Sequence, residues 1–267
     1  MSQRFRDRYG PWALVAGASE GLGAEFARQL ASHGLDLVLL ARRRDRLEQI
    51  SSRLHAEFGR EVRCEALDLA RPDLAAALRA CTQGLEIGLA VYNAALAPIG
   101  PFFSMELEEK LRTIDVNCRG PLVLAHELGG KMVERGRGGI ILMSSMAGFQ
   151  GAPWVATYGA SKAFDTVLGE SLWEELGASG VHVLACCAGP TRTPNYEQSK
   201  PRGGPAPMEP SAVVSESLAK LGSRPSLVPG AMNRSMAFLM GRLLSRRMAV
   251  RIFGKATRRM YTWTRPG

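Results

Sequence analysis

The sequence predicts an α/β protein with a doubly wound parallel sheet, and three observations carry that expectation. Short apolar runs alternate six times with segments patterned as helices, the rhythm of successive βαβ units. The runs are apolar almost throughout rather than at every second residue, as in GIILM at 139–143 and VHVLACC at 181–187. Such runs suit strands covered on both faces. A glycine-rich turn follows the first run and opens the first helix of the series, where sheets of this kind approach a phosphate.

The elements follow in order. The run Trp12–Ala16 reads as the first strand and ends in Gly17-Ala18-Ser19-Glu20-Gly21-Leu22-Gly23. An amphipathic helix over 24–33 is closed by Gly34, a residue suited to the left-handed position after a helix. Asp36–Ala41 is the second strand, and a charged helix over 43–58 stops at Gly59. A third strand over 62–67 ends at Asp68, and a helix is expected over 72–81. Ile87–Tyr92 is strand four, 106–135 reads as one long helical region, and 139–144 is strand five. A helix over 158–177 and a strand over 181–187 complete the series. The rhythm then fails in a proline-rich stretch over 191–210, a long loop of the kind that is usually functional. A short helix over 210–221 and an edge strand within 226–230 close the body. The expected organisation is a single domain over 1–230, with a lid-like segment at about 191–221, and a basic helical extension over 231–267.

Charge is unevenly spread along the 267 residues. The net charge is +9, from 34 Lys and Arg against 25 Asp and Glu, yet 11 of the basic residues and none of the acidic ones lie beyond Glu216. The first 216 residues are therefore close to neutral, which excludes a uniformly basic nucleic-acid-binding domain. The five cysteines form no C-x-x-C pair, and the four histidines are scattered. Neither a disulfide framework nor a zinc site is expected, and a reducing compartment fits best. The apolar stretch after the N-terminal arginines is too short for a signal peptide, and no window is long enough for a membrane-spanning helix. A cytoplasmic protein is the expectation.

Gly17, Gly21 and Gly23 allow a tight turn and close approach of backbone to phosphate, and the following helix N-terminus offers free N–H groups. The spacing G-x-x-x-G-x-G, placed between strand and helix, points to a dinucleotide. Strand two then distinguishes the cofactors. An acid there holds the ribose 2′-hydroxyl of NAD, whereas an arginine suits the 2′-phosphate of NADP. The sequence has Arg42, Arg43 and Arg44 before its first acid, Asp45, and a guanidinium matches phosphate oxygens as a fork. NADP(H) is thus preferred over NAD(H), with Arg42 first and Arg43 second.

Tyr158 and Lys162 are four residues apart on one expected helix, so they share a face. A cation within about 4–6 Å of a phenol favours the phenolate, which suits a general acid/base. Ser144 and Ser145 end strand five, at the sheet edge where ligands bind. A hydroxyl there can polarise a substrate carbonyl, or it can cap the turn that follows. Asn117 falls within the long helical region, and a buried amide there needs partners.

Together these residues resemble the short-chain dehydrogenase/reductase family, a Rossmann fold, over about residues 10–195. The turn at 17–23, with Ser19 and Leu22, looks like the family's cofactor glycine motif. Asp68 and Leu69 look like its adenine-contacting pair, and Asn93 with Ala94 like the loop beside the cofactor. Asn117, Ser145, Tyr158 and Lys162 match the family's catalytic tetrad; Ser145 is chosen over Ser144 because the family serine lies 13 positions before the tyrosine. Gly189, Pro190, Thr191 and Thr193 resemble the segment lining the nicotinamide. Two positions depart from the pattern: Ala95 stands where the family has glycine, and Ala188 where it has proline.

The resemblance implies that Tyr158 exchanges a proton with the substrate oxygen while NADPH delivers hydride. It further implies that Lys162 assists Tyr158 and binds the nicotinamide ribose, Ser145 holds the oxygen, and Asn117 anchors a water-linked proton relay. It also implies a homodimer or homotetramer. A looser likeness at both ends points to the 17β-hydroxysteroid and 3-oxoacyl reductase branch, hence to an apolar, acyl- or steroid-like ketone. The rival reading is a non-catalytic cofactor-sensing or scaffolding protein of the same fold. The basic, amphipathic tail over 232–261 leaves two readings open: peripheral contact with an anionic membrane surface, or packing on the body or a subunit interface. A basic tail also attracts acidic substrates.

Overall fold

The computed structural model describes residues 2–199, 202–203 and 205–261. The strands are β1 (Trp12–Ala16), β2 (Asp36–Ala41), β3 (Val62–Ala66), β4 (Ile87–Tyr92), β5 (Gly138–Ser145), β6 (Val181–Ala188) and β7 (Ser226–Leu227). They form one seven-stranded sheet of order β3-β2-β1-β4-β5-β6-β7, with every neighbouring pair parallel. Strands β1 and β4 are buried at every position. Their continuous apolar runs follow from that placement, because both pleat faces are covered.

The covering layers are helices. On one face Val15, Leu39 and Leu184 pack with Phe26 and Leu30 of α2 (Gly21–Ser32). On the other, Leu14, Val38 and Leu142 pack with Leu74 of α4 (Leu74–Cys81) and Leu124 of α6 (Gly120–Glu134). Truncating one of these fully buried leucines to alanine costs about 2–5 kcal/mol in comparable cores. After β3 the chain crosses to the other side of β1 to form β4. The connections leaving β1 and β4 therefore diverge, opening a crevice above their carboxyl ends.

Two helical segments differ from expectation. The region over 106–135 is not continuous: α5 (Leu107–Ile114) and α6 flank a π turn at Asp115–Arg119. The extra residue in that turn carries Asn117 into the interior, where it is fully buried and bonds to the backbone of Leu96; π turns often mark functional sites. An N-terminal helix, α1 (Ser2–Tyr9), also precedes the sheet. Its arginine-rich sequence gives it only a weak helical signature, and distant contacts hold it in place. Helices α3 (Arg44–Phe58) and α7 (Ala156–Gly177) lie close to their expected positions.

The proline-rich stretch contains a short helix, α8 (Pro194–Gln198), and a parallel bridge between Thr191 and Met208. Helix α9 (Pro210–Lys220) then leads to the short edge strand β7. The basic tail forms α10 (Ala231–Phe238), a π turn at Leu239–Leu243 and α11 (Arg246–Met260). Helix α11 lies on the body: Ala249, Gly254 and Thr257 are buried, and Arg246 donates to the Phe149 carbonyl at 2.6 Å. No helix among the described residues is long and apolar enough to cross a membrane.

Helix α1 is fixed at His182 on β6. Arg8 Nη2 lies 2.9 Å from His182 Nε2, and Tyr9 Oη 2.7 Å from Nδ1. Arginine can only donate, so Nε2 accepts and the neutral imidazole carries its proton on Nδ1. Burial, and then the Arg8 charge, hold the His182 pKa below its ordinary value. The unfolded chain thus takes up this proton more readily than the folded one. The contribution to stability is fully present above about pH 6.5 and is lost as pH falls towards the lower folded value. Melting temperatures measured between pH 7.5 and 5.5 should fall more steeply for the native chain than for His182→Gln; equal slopes would exclude the imidazole as the cause.

Candidate active site

The glycine turn after β1 bends because its backbone reaches conformations that side chains disfavour: Gly17 has φ +83° and Gly21 φ +56°. A Cβ on Gly17 would lie 2.6 Å from the Ala94 amide nitrogen. Gly23 has a different reason to be glycine, since a Cβ there would lie 2.0 Å from the Gly17 carbonyl oxygen. It lies behind the wall and lets α2 approach the turn. Asn93 donates its side-chain amide to the same carbonyl at 2.9 Å, and the amides of Asn93 and Ala94 both bond to Ala16. The ends of β1 and β4 are thereby tied together, and Ala95 in place of glycine leaves that anchoring intact.

Above this turn lies a cavity of about 530 Å³, lined by Gly17, Ser19, Gly21, Leu22, Arg42 and Arg43, and further along by Asp68, Leu69, Asn93 and Ala94. The fit to a dinucleotide is physical. A side chain at Gly17 would obstruct the turn, the N-terminus of α2 opens onto the cavity, and guanidinium groups stand where β2 ends. Arg43 is partly engaged, donating to Glu20 at 2.6 Å and to Ser19 at 3.1 Å. Arg42 is exposed and makes no ion pair among the described residues. At the far end, burial opposes the charge on Asp68, but Arg112 at 2.8 Å and the Ala70 amide hold its carboxyl below the ordinary carboxylate range. Arg112 also lines the cavity. Its role was hidden in the sequence, because the pairing spans 44 positions.

A second cavity, about 440 Å³, shares Leu22, Asn93 and Thr193 with the first and contains Ser145, Tyr158, Lys162, Gly189, Pro190 and Thr191. The two serines ending β5 have different surroundings. Ser144 is buried and bonds to the Lys162 carbonyl at 2.6 Å and the Thr166 hydroxyl at 2.7 Å, stitching β5 to α7. Ser145 is half-buried, and among the described residues its hydroxyl accepts only the Ala147 amide, at 3.2 Å. It retains a donor for a ligand in the cavity.

Lys162 is buried, and its ammonium donates to the Met143 carbonyl at 2.7 Å and to Asp165 at 3.0 Å. The same ammonium lies 5.9 Å from the centre of the Tyr158 ring. Asn117 touches neither reacting side chain directly. Its amide donates to Ser161 at 2.9 Å, and Ser161 donates to the Tyr158 carbonyl at 2.8 Å. The π turn is thus linked to the backbone of the tyrosine, and Ser161 is a supporting residue that the motif does not reveal. Before α7, Trp154 adopts φ +68° and leads directly into Val155 of the cavity wall.

The roof of the second cavity comes from the tail. Met236 of α10, Met240 of the following π turn, and Phe253, Met260 and Tyr261 line it. Burial pushes the Tyr261 phenol above its ordinary pKa, with Tyr158 and Tyr196 nearby adding to the shift. No local pattern announces this contact, because sequence periodicity shows only that the tail is amphipathic.

Comparison with known proteins identifies the family and the fold. The family model for short chain dehydrogenase matches residues 11–202. A 7beta-hydroxysteroid dehydrogenase of Clostridium sardiniense is 33% identical over 233 residues, covering 86% of this chain and 89% of the relative. A solved structure concerned with 7beta-hydroxysteroid dehydrogenase stereoselectivity superposes with a TM-score of 0.88 at 29% identity, covering 93% of this chain and 98% of the other. A short-chain dehydrogenase from Sphingobium yanoikuyae, solved in complex with NADPH, gives a TM-score of 0.76 at 33% identity, covering 88% and 94% of the two chains. With its parallel sheet, its glycine turn and Tyr158 beside Lys162, the chain belongs to the short-chain dehydrogenase/reductase family, enzymes that act on CH–OH and C=O groups.

Proposed function

We propose that this enzyme reduces an apolar ketone of acyl- or steroid-like bulk to a secondary alcohol, reversibly, with NADP(H) preferred over NAD(H). One observation carries the reading: Tyr158, Lys162 and Ser145 share an apolar-roofed cavity that adjoins the cavity of the glycine turn. Its volume of about 440 Å³ falls in the range of small-molecule sites. The methionines and Phe253 of the roof favour an apolar ligand, and the hydroxysteroid activity named for a relative supports a fused-ring ketone among the candidates.

When bound, the nicotinamide supplies the hydride or takes it back. This chain's own groups do the rest. Tyr158 gives its proton to the substrate oxygen, or removes it in the reverse direction. Ser145 donates to the same oxygen and fixes it within reach of the phenol. Lys162 supplies positive charge near the phenol and would bond to the nicotinamide ribose, while Asn117 would anchor a water-linked proton relay and, through Ser161, holds the Tyr158 backbone. Arg42, with Arg43 behind it, takes the adenosine 2′-phosphate. Exposed apolar residues on α5 and α7, among them Leu111, Phe164 and Val167, support burial against another copy of the chain in a homodimer or homotetramer.

The decisive experiment measures turnover on a panel comprising a 7-oxosteroid, a 3-oxoacyl thioester and acetophenone, with both cofactors. The expected result is NADPH-dependent reduction of at least one bulky ketone; a folded enzyme inert towards all of them would favour a cofactor-sensing or scaffolding role. Tyr158→Phe should reduce kcat by about 10²–10⁴-fold with little change in NADPH binding, and full turnover in that variant would defeat the mechanism. Arg42→Ala should reduce the preference for NADPH over NADH by roughly 10–100-fold, the equivalent of one charge-assisted hydrogen bond. An unchanged ratio of the two kcat/KM values would remove Arg42 from cofactor selection.

A further inference from the structure

The most unusual group near the active site is a buried carboxylate that the reaction outlined above does not use. Asp165 lies one helical turn beyond Lys162 on the sheet-facing side of α7, and both side chains are 3% exposed. Its Oδ2 accepts from the Lys162 ammonium at 3.0 Å, while its Oδ1 is buried without a hydrogen-bond partner among the described residues. Packing does not require an acid here; a hydrocarbon would fill the site without the cost of removing charge from water. Burial pushes the Asp165 carboxyl above its ordinary pKa, and the charge and hydrogen bond of Lys162 oppose that rise and hold the proton off; the other groups around it are the Tyr92 phenol from β4, the Cys118 thiol from the π turn and the Cys187 thiol from β6. Burial keeps the phenol and both thiols neutral, the thiols being pushed up to about 11. Lys162 is the one cation in this set.

The ammonium thus stands between two oxygens on the sheet side, from Asp165 and the Met143 carbonyl, and the Tyr158 ring at 5.9 Å on the other. We propose that Asp165 is a positioning residue that sets where the charge of Lys162 resides, drawing the ammonium towards the sheet and moderating its pull on the Tyr158 phenol. The inference rests on Tyr158 being the acid/base of the proposed reaction. An opposite charge near a phenol favours the phenolate, and an anion that shares the cation weakens that effect. Asp165 therefore tunes the pH at which the tyrosine changes role, without touching substrate or cofactor.

The test is the pH dependence of kcat/KM for oxidation of a 7-hydroxysteroid, or of whichever alcohol corresponds to the best ketone, at saturating NADP⁺. Asp165→Asn keeps the shape of the side chain and removes its charge; Asp165→Ser is the second variant, and thermal melting establishes that each is folded. With the anion gone, the lysine charge acts on the phenol undivided. The rising limb of the profile should move to lower pH by roughly half a unit or more, and Asp165→Glu should return it towards the native position. A folded, active Asp165→Asn or Asp165→Ser whose limb does not move overturns the inference alone. Failure of both neutral variants to fold also overturns it, since the pair would then serve the fold. A native enzyme without turnover, or with full turnover in Tyr158→Phe, instead defeats the reading on which the inference rests.

Discussion

Ser145, Tyr158 and Lys162 all depend on the seam between β5 and α7. At the end of β5, Met143 presents a carbonyl to the Lys162 ammonium, Ser144 bonds back to the Lys162 carbonyl, and Ser145 faces the cavity. Three consecutive residues therefore fix the lysine side chain, the lysine backbone and a hydroxyl that faces the cavity. A strand imposes alternate directions on successive side chains, so Ser144 and Ser145 cannot exchange roles. The helix places Tyr158 one turn before Lys162, and the seam orients both towards the crevice.

The crevice in turn depends on topology. A parallel sheet gathers its strand ends on one edge, and the crossover between β3 and β4 separates the loops above β1 and β4. The glycine turn occupies one side and Asn93 braces the other. These two devices are local in cause. A positive φ favours glycine, and a short amide side chain reaches a carbonyl across neighbouring strands. Their locality is why they are visible in the residues themselves.

What the sequence displays and what it conceals divide along that line. The alternation of apolar runs and helices, the arginines after β2, and the spacing of Tyr158 from Lys162 are consequences of short-range geometry, and all can be read directly. Asn117 is recognisable as a motif residue, but not as the reason that one expected helix becomes two; its burial depends on Leu96 and Ser161, 21 and 44 positions away. Gly23 resembles a cofactor contact in the motif, and only the nearby Gly17 carbonyl shows that it serves packing. The basic tail is legible as amphipathic, but its partner is not. Amphipathicity records that one face is covered without recording what covers it. Asp165 poses the same difficulty, because an acid in a helix usually marks its solvent side.

The tail also ties the order of synthesis to completion of the site. The cavity above the glycine turn is assembled mostly from strands and turns in the first half of the chain, with Thr193, Asn195 and Gln198 added from the second, whereas Phe253, Met260 and Tyr261 of the second cavity's roof are among the last described residues. A chain emerging from the ribosome can therefore form most of the wall around the glycine turn well before the second cavity is enclosed. The second cavity is enclosed only when the final helix docks. The enclosing wall is also the part least woven into the sheet, so substrate choice can diverge at the chain end while the seam of β5 and α7 is left unaltered.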